Sequence, residues 1–415
     1  METDPSRRGL NALNFFVGAV EAGFGPFVAV WLTQQGWSQT DVGLALSVGA
    51  GAAMLGQLPG GWAVDQVHFK RPIATAGLLA IAFGALLLAF FPMTGPVWLA
   101  EAMNGLAGCI LTPAIAAITL RLCGHTAYSE RLGRNARYAS LGAGISAGLL
   151  GLCAWYASER SVFIATAAMV VPALFALSII QRHEEAEGET HHALLTPRER
   201  RRRALRARQI FRQPALHVFA ACAVLFQLAN AGMLPLALNE LSKRTPTAGL
   251  VVSAAVIVPQ IVVASMSPWA GTMAQAIGRR RVLLFGFGAL PLRGVLFAVL
   301  IWGGPAGLPL VAIQVLDGIS ATVFGLSLPL IAADVTRRCG YMNLAIGSLG
   351  LASTFGATAS TTLAGVMADS VGAPAAFIGL AAIGAAAWLI VLFVMPETRP
   401  GTHGDTPAQA APVAA

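Results

Sequence analysis

Apolar residues in this chain run on for far longer than the roughly four to eight residues of a buried strand, and charged residues gather between the runs. A bilayer crossing takes about 20 mainly apolar residues, and on that template the pattern predicts twelve spans, at roughly 10–32, 41–65, 72–92, 96–120, 136–157, 161–181, 216–240, 248–274, 282–302, 307–334, 344–368 and 373–395. Six lie on each side of the longest polar stretch. The expected fold class is therefore an all-α membrane protein of twelve transmembrane helices. Its expected organisation is a six-helix bundle over 1–181, a basic linker over 182–215, a second six-helix bundle over 216–396 and a disordered tail over 397–415. The first run is read as a span rather than a cleaved signal peptide. It is too long, holds Glu21 at its centre and lacks a small-residue cleavage site.

Composition agrees with lipid as the main solvent. Of 415 residues, 56% are apolar and 11% charged, against roughly 25% charged in soluble globular proteins. Five cysteines (Cys109, Cys123, Cys153, Cys222, Cys339) stand singly, which indicates neither a disulfide framework nor a zinc site. The sequence shows no nucleophile–base arrangement, phosphate loop or metal cluster, so neither catalysis nor a cofactor is expected. The basic residues set an orientation. If both termini are cytoplasmic, 23 of the 27 Lys and Arg fall on that side, while Arg160, Lys243 and Arg244 fall opposite and Arg293 lies inside a span. The expected location is the cytoplasmic (inner) membrane. The linker run Arg198 to Arg212 could signal nucleic-acid binding. As a tether between two membrane halves it reads instead as contact with anionic lipid, with no nucleic-acid partner.

The halves repeat. Gly61, Asp65 and Lys70 before the third span recur, 210 residues on, as Gly271, Gln275 and Arg280, with Gly278 and Arg279 beside them. Glu101, Asn104 and Gly105 recur, 213 on, as Gln314, Asp317 and Gly318, and Gly133 to Asn135 resembles Gly340 to Asn343. On these residues the chain resembles the major facilitator superfamily over essentially its whole length. That family's loop signature runs Gly, three residues, Asp, a basic residue, any residue, Gly, then two basic residues. The second copy departs from it at Gln275, and the first at Gln66, His68 and Phe69. Gly25-Pro26-Phe27, Ala229 to Ala231 with Leu234 to Leu236, and Gln314 to Gly318 resemble a drug- and metabolite-efflux branch. Span five, with Gly142, Gly144, Gly148 and Gly151, has no Gly-Pro pair, and Glu101 stands where proton antiporters usually carry arginine. The resemblance implies two pseudo-symmetric bundles that rock about a central site. The loop residues Gly61, Asp65, Lys70, Gly271, Gly278, Arg279 and Arg280 would then gate the cytoplasmic side. Physically, Asp65 either pairs with a helix N-terminus or an arginine and latches one conformation, or merely caps and solvates its own helix end.

Ionisable side chains at membrane depth cost several kcal/mol unless paired or hydrated, which makes each a functional candidate. At 1.5 Å per residue, Glu21 lies about 16 Å into span one, with Gly18 and Gly25 on its helix face. Asp317 and Arg293 reach similar depth in spans ten and nine and are expected to pair, either as a static strut or as a coupling element. Asn104, Asn230, Gln260 and Gln314 are candidates for a substrate cavity, or for hydrogen bonds between helices. Glu101 lies about 6 Å below the outer end of span four, on a stripe with Asn104, Gly105, Gly108 and Thr112.

The function expected is a secondary transporter, monomeric, whose partners are a small-molecule solute, protons and the lipid bilayer. Its direction is read as efflux of a metabolite or drug-like compound against proton entry. Glu21 is the first proton carrier, then Asp317, then Glu101, because a carboxyl removed from water can load and release a proton as the cavity opens to either side. A proton-coupled uptake symporter and a non-transporting membrane scaffold remain the alternatives.

Overall fold

The computed structural model describes residues 5–24, 26–67, 70–180, 210–242, 248–304, 307–337 and 341–399. Most of the linker, the tail from 400 onward, and Gly25, His68, Phe69, Lys243, Arg244, Cys339 and Gly340 lie outside them. Thirteen helices are described: α1 Pro5–Glu21, α2 Pro26–Gln34, α3 Gln39–Gln66, α4 Lys70–Phe90, α5 Thr94–Tyr156, α6 Glu159–Ile179, α7 Pro214–Asn230, α8 Met233–Ser242, α9 Ala248–Ala276, α10 Arg279–Gly303, α11 Gly307–Thr336, α12 Met342–Val371 and α13 Ala373–Phe393.

These make twelve spans. Among the described residues, nine stretches are long and apolar enough to cross a membrane as they stand. One of them, the 63-residue α5, holds spans four and five together. The broken first span and α12 complete the count.

Four spans differ from their sequence reading. Span one begins earlier, at Pro5, and breaks after Glu21; span seven breaks after Asn230. Spans four and five are not separated by a loop. Charge at Arg121, Glu130, Arg131 and Arg134 suggested one, but charge does not end a helix, and no proline falls there. The helix only turns a corner at Gly124 (φ 65°, ψ 173°), a backbone conformation that glycine adopts without steric cost.

Buried apolar side chains form two clusters. One runs from Leu10 to Ile180. The other runs from Ile210 to Met395 and also takes in Ala116, Tyr128 and Leu132, so the middle of α5 reaches into the second half. Glycines set the closest crossings. A side chain on Gly142 would strike the Phe15 carbonyl, and one on Gly18 the Ala139 carbonyl, which pins α1 on α5. Trp155, Tyr156 and Trp302 are more than 80% exposed at the helix ends opposite the loop motifs, where aromatic rings favour a membrane–water interface.

Candidate functional site

Two crossings join the halves at the end that carries the loop motifs. In the first, α3 meets α12: Gly61 lies against the Asn343 carbonyl and Gly347 against the Gln57 carbonyl. In the second, α9 meets α5: Gly271 lies against the Ser129 carbonyl and Gly133 against the Ser267 carbonyl. Gly61 and Gly271 are 210 residues apart, and Gly133 and Gly347 are 214 apart, so the repeat makes one contact twice.

The two copies differ in charge. Asp65 Oδ1 accepts from the Asn343 N–H at 3.2 Å and the Asn343 side-chain amide at 2.7 Å, while Oδ2 accepts from the Leu344 N–H at 2.7 Å. Because α12 begins at Met342, this carboxylate caps a helix N-terminus of the opposite half, where free N–H groups and the helix dipole both favour an anion. At the matching position Gln275 turns its Oε1 to Arg279 (3.1 Å) in its own half. The second crossing instead carries a hydrogen bond from the Ser129 hydroxyl to the Gly271 carbonyl at 2.6 Å.

The other loop-motif residues serve their own half rather than bridging the two. Lys70 donates to the Val64 and Val67 carbonyls, which finishes α3. Arg279 is 3% exposed and pairs with Asp334 at 3.1 Å. Arg280 donates to the Val391 and Leu392 carbonyls at the end of α13. Gly278 holds φ 105°, and a side chain there would strike the Glu397 carboxylate, which accepts from the Arg279 and Arg280 N–H groups at 2.8 and 3.2 Å. Asp334, Glu397, Ser129 and Asn343 were missed as site residues. Glu397 had one legible signal, as the first acid after the last span, facing a loop with three arginines.

At membrane depth the second half holds a compact polar cluster. Arg293 is 1% exposed; its Nη1 reaches Asn230 Oδ1 at 2.5 Å and Asp317 Oδ1 at 2.7 Å, and its Nη2 reaches Gln314 Oε1 at 2.8 Å. Gln314 is wholly buried and donates to the Ala255 carbonyl of α9 at 3.1 Å. Gln314 is therefore a strut between helices and not a wall of the cavity, and the Asn230 oxygen is likewise taken. Asn230 ends α7, and the break after it is held by Ser360, which accepts from the Gly232 N–H (2.8 Å) and donates to the Leu228 carbonyl (2.7 Å). Gln260 is not part of this cluster. It lies half-buried beside Gly144 of α5, between the halves.

The first half is different. Glu21 is exposed at the end of α1, and its side chain makes no hydrogen bond or ion pair among the described residues. Glu101 is 6% exposed, its Oε2 lies against Gly49 of α3, and its Oε1 has no hydrogen-bond partner. Gly105, one turn on, packs on the Gly49 carbonyl, whereas Asn104 and Gly108 are half-buried and Thr112 exposed. The stripe on span four is thus divided between a tight helix contact and an open side.

Comparisons with known proteins agree with this architecture. The family model described as Major Facilitator Superfamily matches residues 10–241 and 220–415. An uncharacterised transporter of that type from two strains of Mycobacterium tuberculosis is 32% identical over 397 residues, covering 94% of this chain and 93% of the relative. Among solved structures, the proton:xylose symporter XylE bound to 6-bromo-6-deoxy-D-glucose is similar with a TM-score of 0.71 at 13% identity, covering 95% of this chain and 96% of that one. The human organic anion transporter TETRAN is similar with a TM-score of 0.68 at 14% identity, covering 93% and 99%.

Proposed function

The chain belongs to the Major Facilitator Superfamily, and from that premise we propose that it exports a small metabolite or drug-like solute across the cytoplasmic membrane in exchange for protons. It works as a monomer with both termini in the cytoplasm, by alternating access about the midplane polar groups. One observation carries this reading: Asp65 of the first half caps α12 of the second, closing the halves at the basic end. The 23-to-3 asymmetry of Lys and Arg supports a cytoplasmic position for that end, and on that reading the closed arrangement is the outward-facing member of an alternating pair. Glu21, exposed at the break in span one and without a side-chain partner among the described residues, takes up the proton from outside and releases it once the basic end opens. Asp317 is a weaker carrier, because its carboxylate is already engaged by the Arg293 guanidinium at 2.7 Å.

The test is transport in proteoliposomes under an imposed pH gradient, with substrates drawn from a ligand library that shifts the melting temperature of the purified protein. Glu21→Gln keeps shape and hydrogen-bonding capacity but cannot exchange a proton. Gradient-driven accumulation should collapse while solute binding and counterflow exchange survive. Accumulation at the wild-type rate would remove Glu21 from the role, solute flux that follows the proton gradient inward would reverse the direction, and no flux with any ligand would favour a scaffold.

A further inference from the structure

Opening the basic end has to part α5 from α9 and α3 from α12, so the groups buried in those two crossings set how readily the halves separate. Among the described residues five buried side-chain atoms, Glu101 Oε1, Tyr128 Oη, Ser267 Oγ, Arg293 Nε and Asn343 Oδ1, have no hydrogen-bond partner. Three of the five, on Tyr128, Ser267 and Asn343, belong to the crossings. Asn343 meets Gly61 through its carbonyl and Asp65 through its side-chain amide. Ser267 meets Gly133 through its carbonyl, and Tyr128 precedes Ser129, whose hydroxyl donates to the Gly271 carbonyl. An unpaired polar atom raises the free energy of the state that buries it. Opening returns it to water. The closed arrangement therefore carries a cost that the open one is spared.

Tyr128 is the clearest case. Its side chain is 2% exposed and lies in the apolar cluster of the second half with Ala116 and Leu132, although α5 belongs by sequence to the first. Among the described residues it is the one aromatic side chain that enters the other half's cluster, and the first-half cluster takes in nothing beyond Ile180. The repeat marks the crossing, since an offset of 213 takes Tyr128 to Tyr341, which lies in the same cluster but from its own half. Buried tyrosine hydroxyls usually find a partner. A phenylalanine would fill the same space without burying a polar group, so packing alone gives no reason for a tyrosine here.

Resting on the alternating-access reading above, we propose that Tyr128 is a counterweight to the Asp65 latch, a hydroxyl left without a partner only while the basic end is closed, which keeps the closed and open arrangements near enough in free energy to interchange. Asp65 and Ser129 favour closing with four hydrogen bonds between the halves. The apolar ring of Tyr128 favours it as well, because it leaves the second-half cluster when the crossing parts. The hydroxyl on that ring opposes them. A transporter held only by the first set of contacts would stay shut at this end.

The test is Tyr128→Phe, made in wild type and in Asp65→Ala, where the open population is expected to be large enough for a loss to be read. Nitroxide labels at the exposed Gln66 and Arg337 report the opening by pulsed dipolar spectroscopy. Tyr128→Phe should raise the ratio of closed to open by about 5- to 30-fold and shrink the longer-distance population of Asp65→Ala. Ser267→Ala removes a second unpartnered hydroxyl, on a wholly buried residue, and should act in the same direction. It carries the test if Tyr128→Phe does not fold, as judged by thermal melting. A tyrosine with a merely structural role would shift the melting temperature and leave the distances of the folded protein alone. That result, or a larger open population in whichever variant folds, overturns the inference. Its failure is separable from that of the transport reading. If no variant, Asp65→Ala included, changes the distances, the halves do not rock at this end and both readings fall; if Asp65→Ala opens the end and Tyr128→Phe does not close it, only the counterweight falls.

Discussion

Removing the Asp65 carboxylate should move the conformational balance of the two halves without unfolding either. In the closed basic end this side chain accepts three hydrogen bonds, two from backbone N–H groups at the start of α12. Asp65→Ala leaves both N–H groups facing protein. Each orphaned donor costs about 1–3 kcal/mol when fully buried, and the lost charge at a helix N-terminus adds about 0.3–1. Water entering a half-buried site recovers part of this, so a net cost of about 2–3 kcal/mol falls on the closed state. In the open state Asp65 is hydrated and the substitution costs little. The ratio of closed to open should therefore drop roughly 30- to 150-fold. Asp65→Asn keeps one acceptor oxygen but sets an NH2 against a donor, and a shift of about fivefold is expected of it. Nitroxide labels at Gln66 and Arg337, both exposed at this end, report the separation by pulsed dipolar spectroscopy. A longer-distance population should grow in the order wild type, Asn, Ala. Gln275→Ala should change it little, because Gln275 bonds within its own half. A distance distribution for Asp65→Ala that superimposes on wild type, in protein of unchanged melting temperature, would refute the latch.

Arg293 and Asp317 should behave as a unit: Arg293→Gln or Asp317→Asn alone leaves an uncompensated buried charge and should destabilise by about 3–5 kcal/mol, whereas the double substitution should melt closer to wild type than either single one. Additive losses in the double mutant would show that the 2.7 Å contact has no energetic weight. Orientation is checked with single cysteines in intact cells: one replacing the exposed Arg212 should react with impermeant maleimide only after permeabilisation, and one replacing the exposed Trp155 should react at once. The opposite pattern would place both termini outside.

What the sequence reveals follows from what the solvent enforces. Lipid demands about 20 apolar residues per crossing, so the twelve spans can be read by counting, and so can the shared depth of Arg293 and Asp317 on consecutive spans. The breaks after Glu21 and Asn230 cannot be read in this way, because Gly23 and Gly232 look like any other glycines in a glycine-rich chain until Thr166 and Ser360 are packed against them. Amides are ambiguous for a related reason. Gln314 and Gln260 sit in similar apolar surroundings, yet one is a wholly buried strut on Arg293 and the other lies half-open between the halves. Only the rotation of each helix distinguishes them, and helices that are apolar on nearly every face give no amphipathic stripe from which to read it. Asp65 falls between these cases. Its charge at a helix end announces an N-terminus or an arginine as partner, but choosing Asn343 and Leu344, 278 and 279 residues away, requires the docked halves. Since its hydrogen-bond partners lie in the other half, the carboxylate gives its own bundle little beyond the nearby charge of Lys70. Its energy goes into the difference between two arrangements of the halves, the quantity that a transporter must keep small enough to reverse.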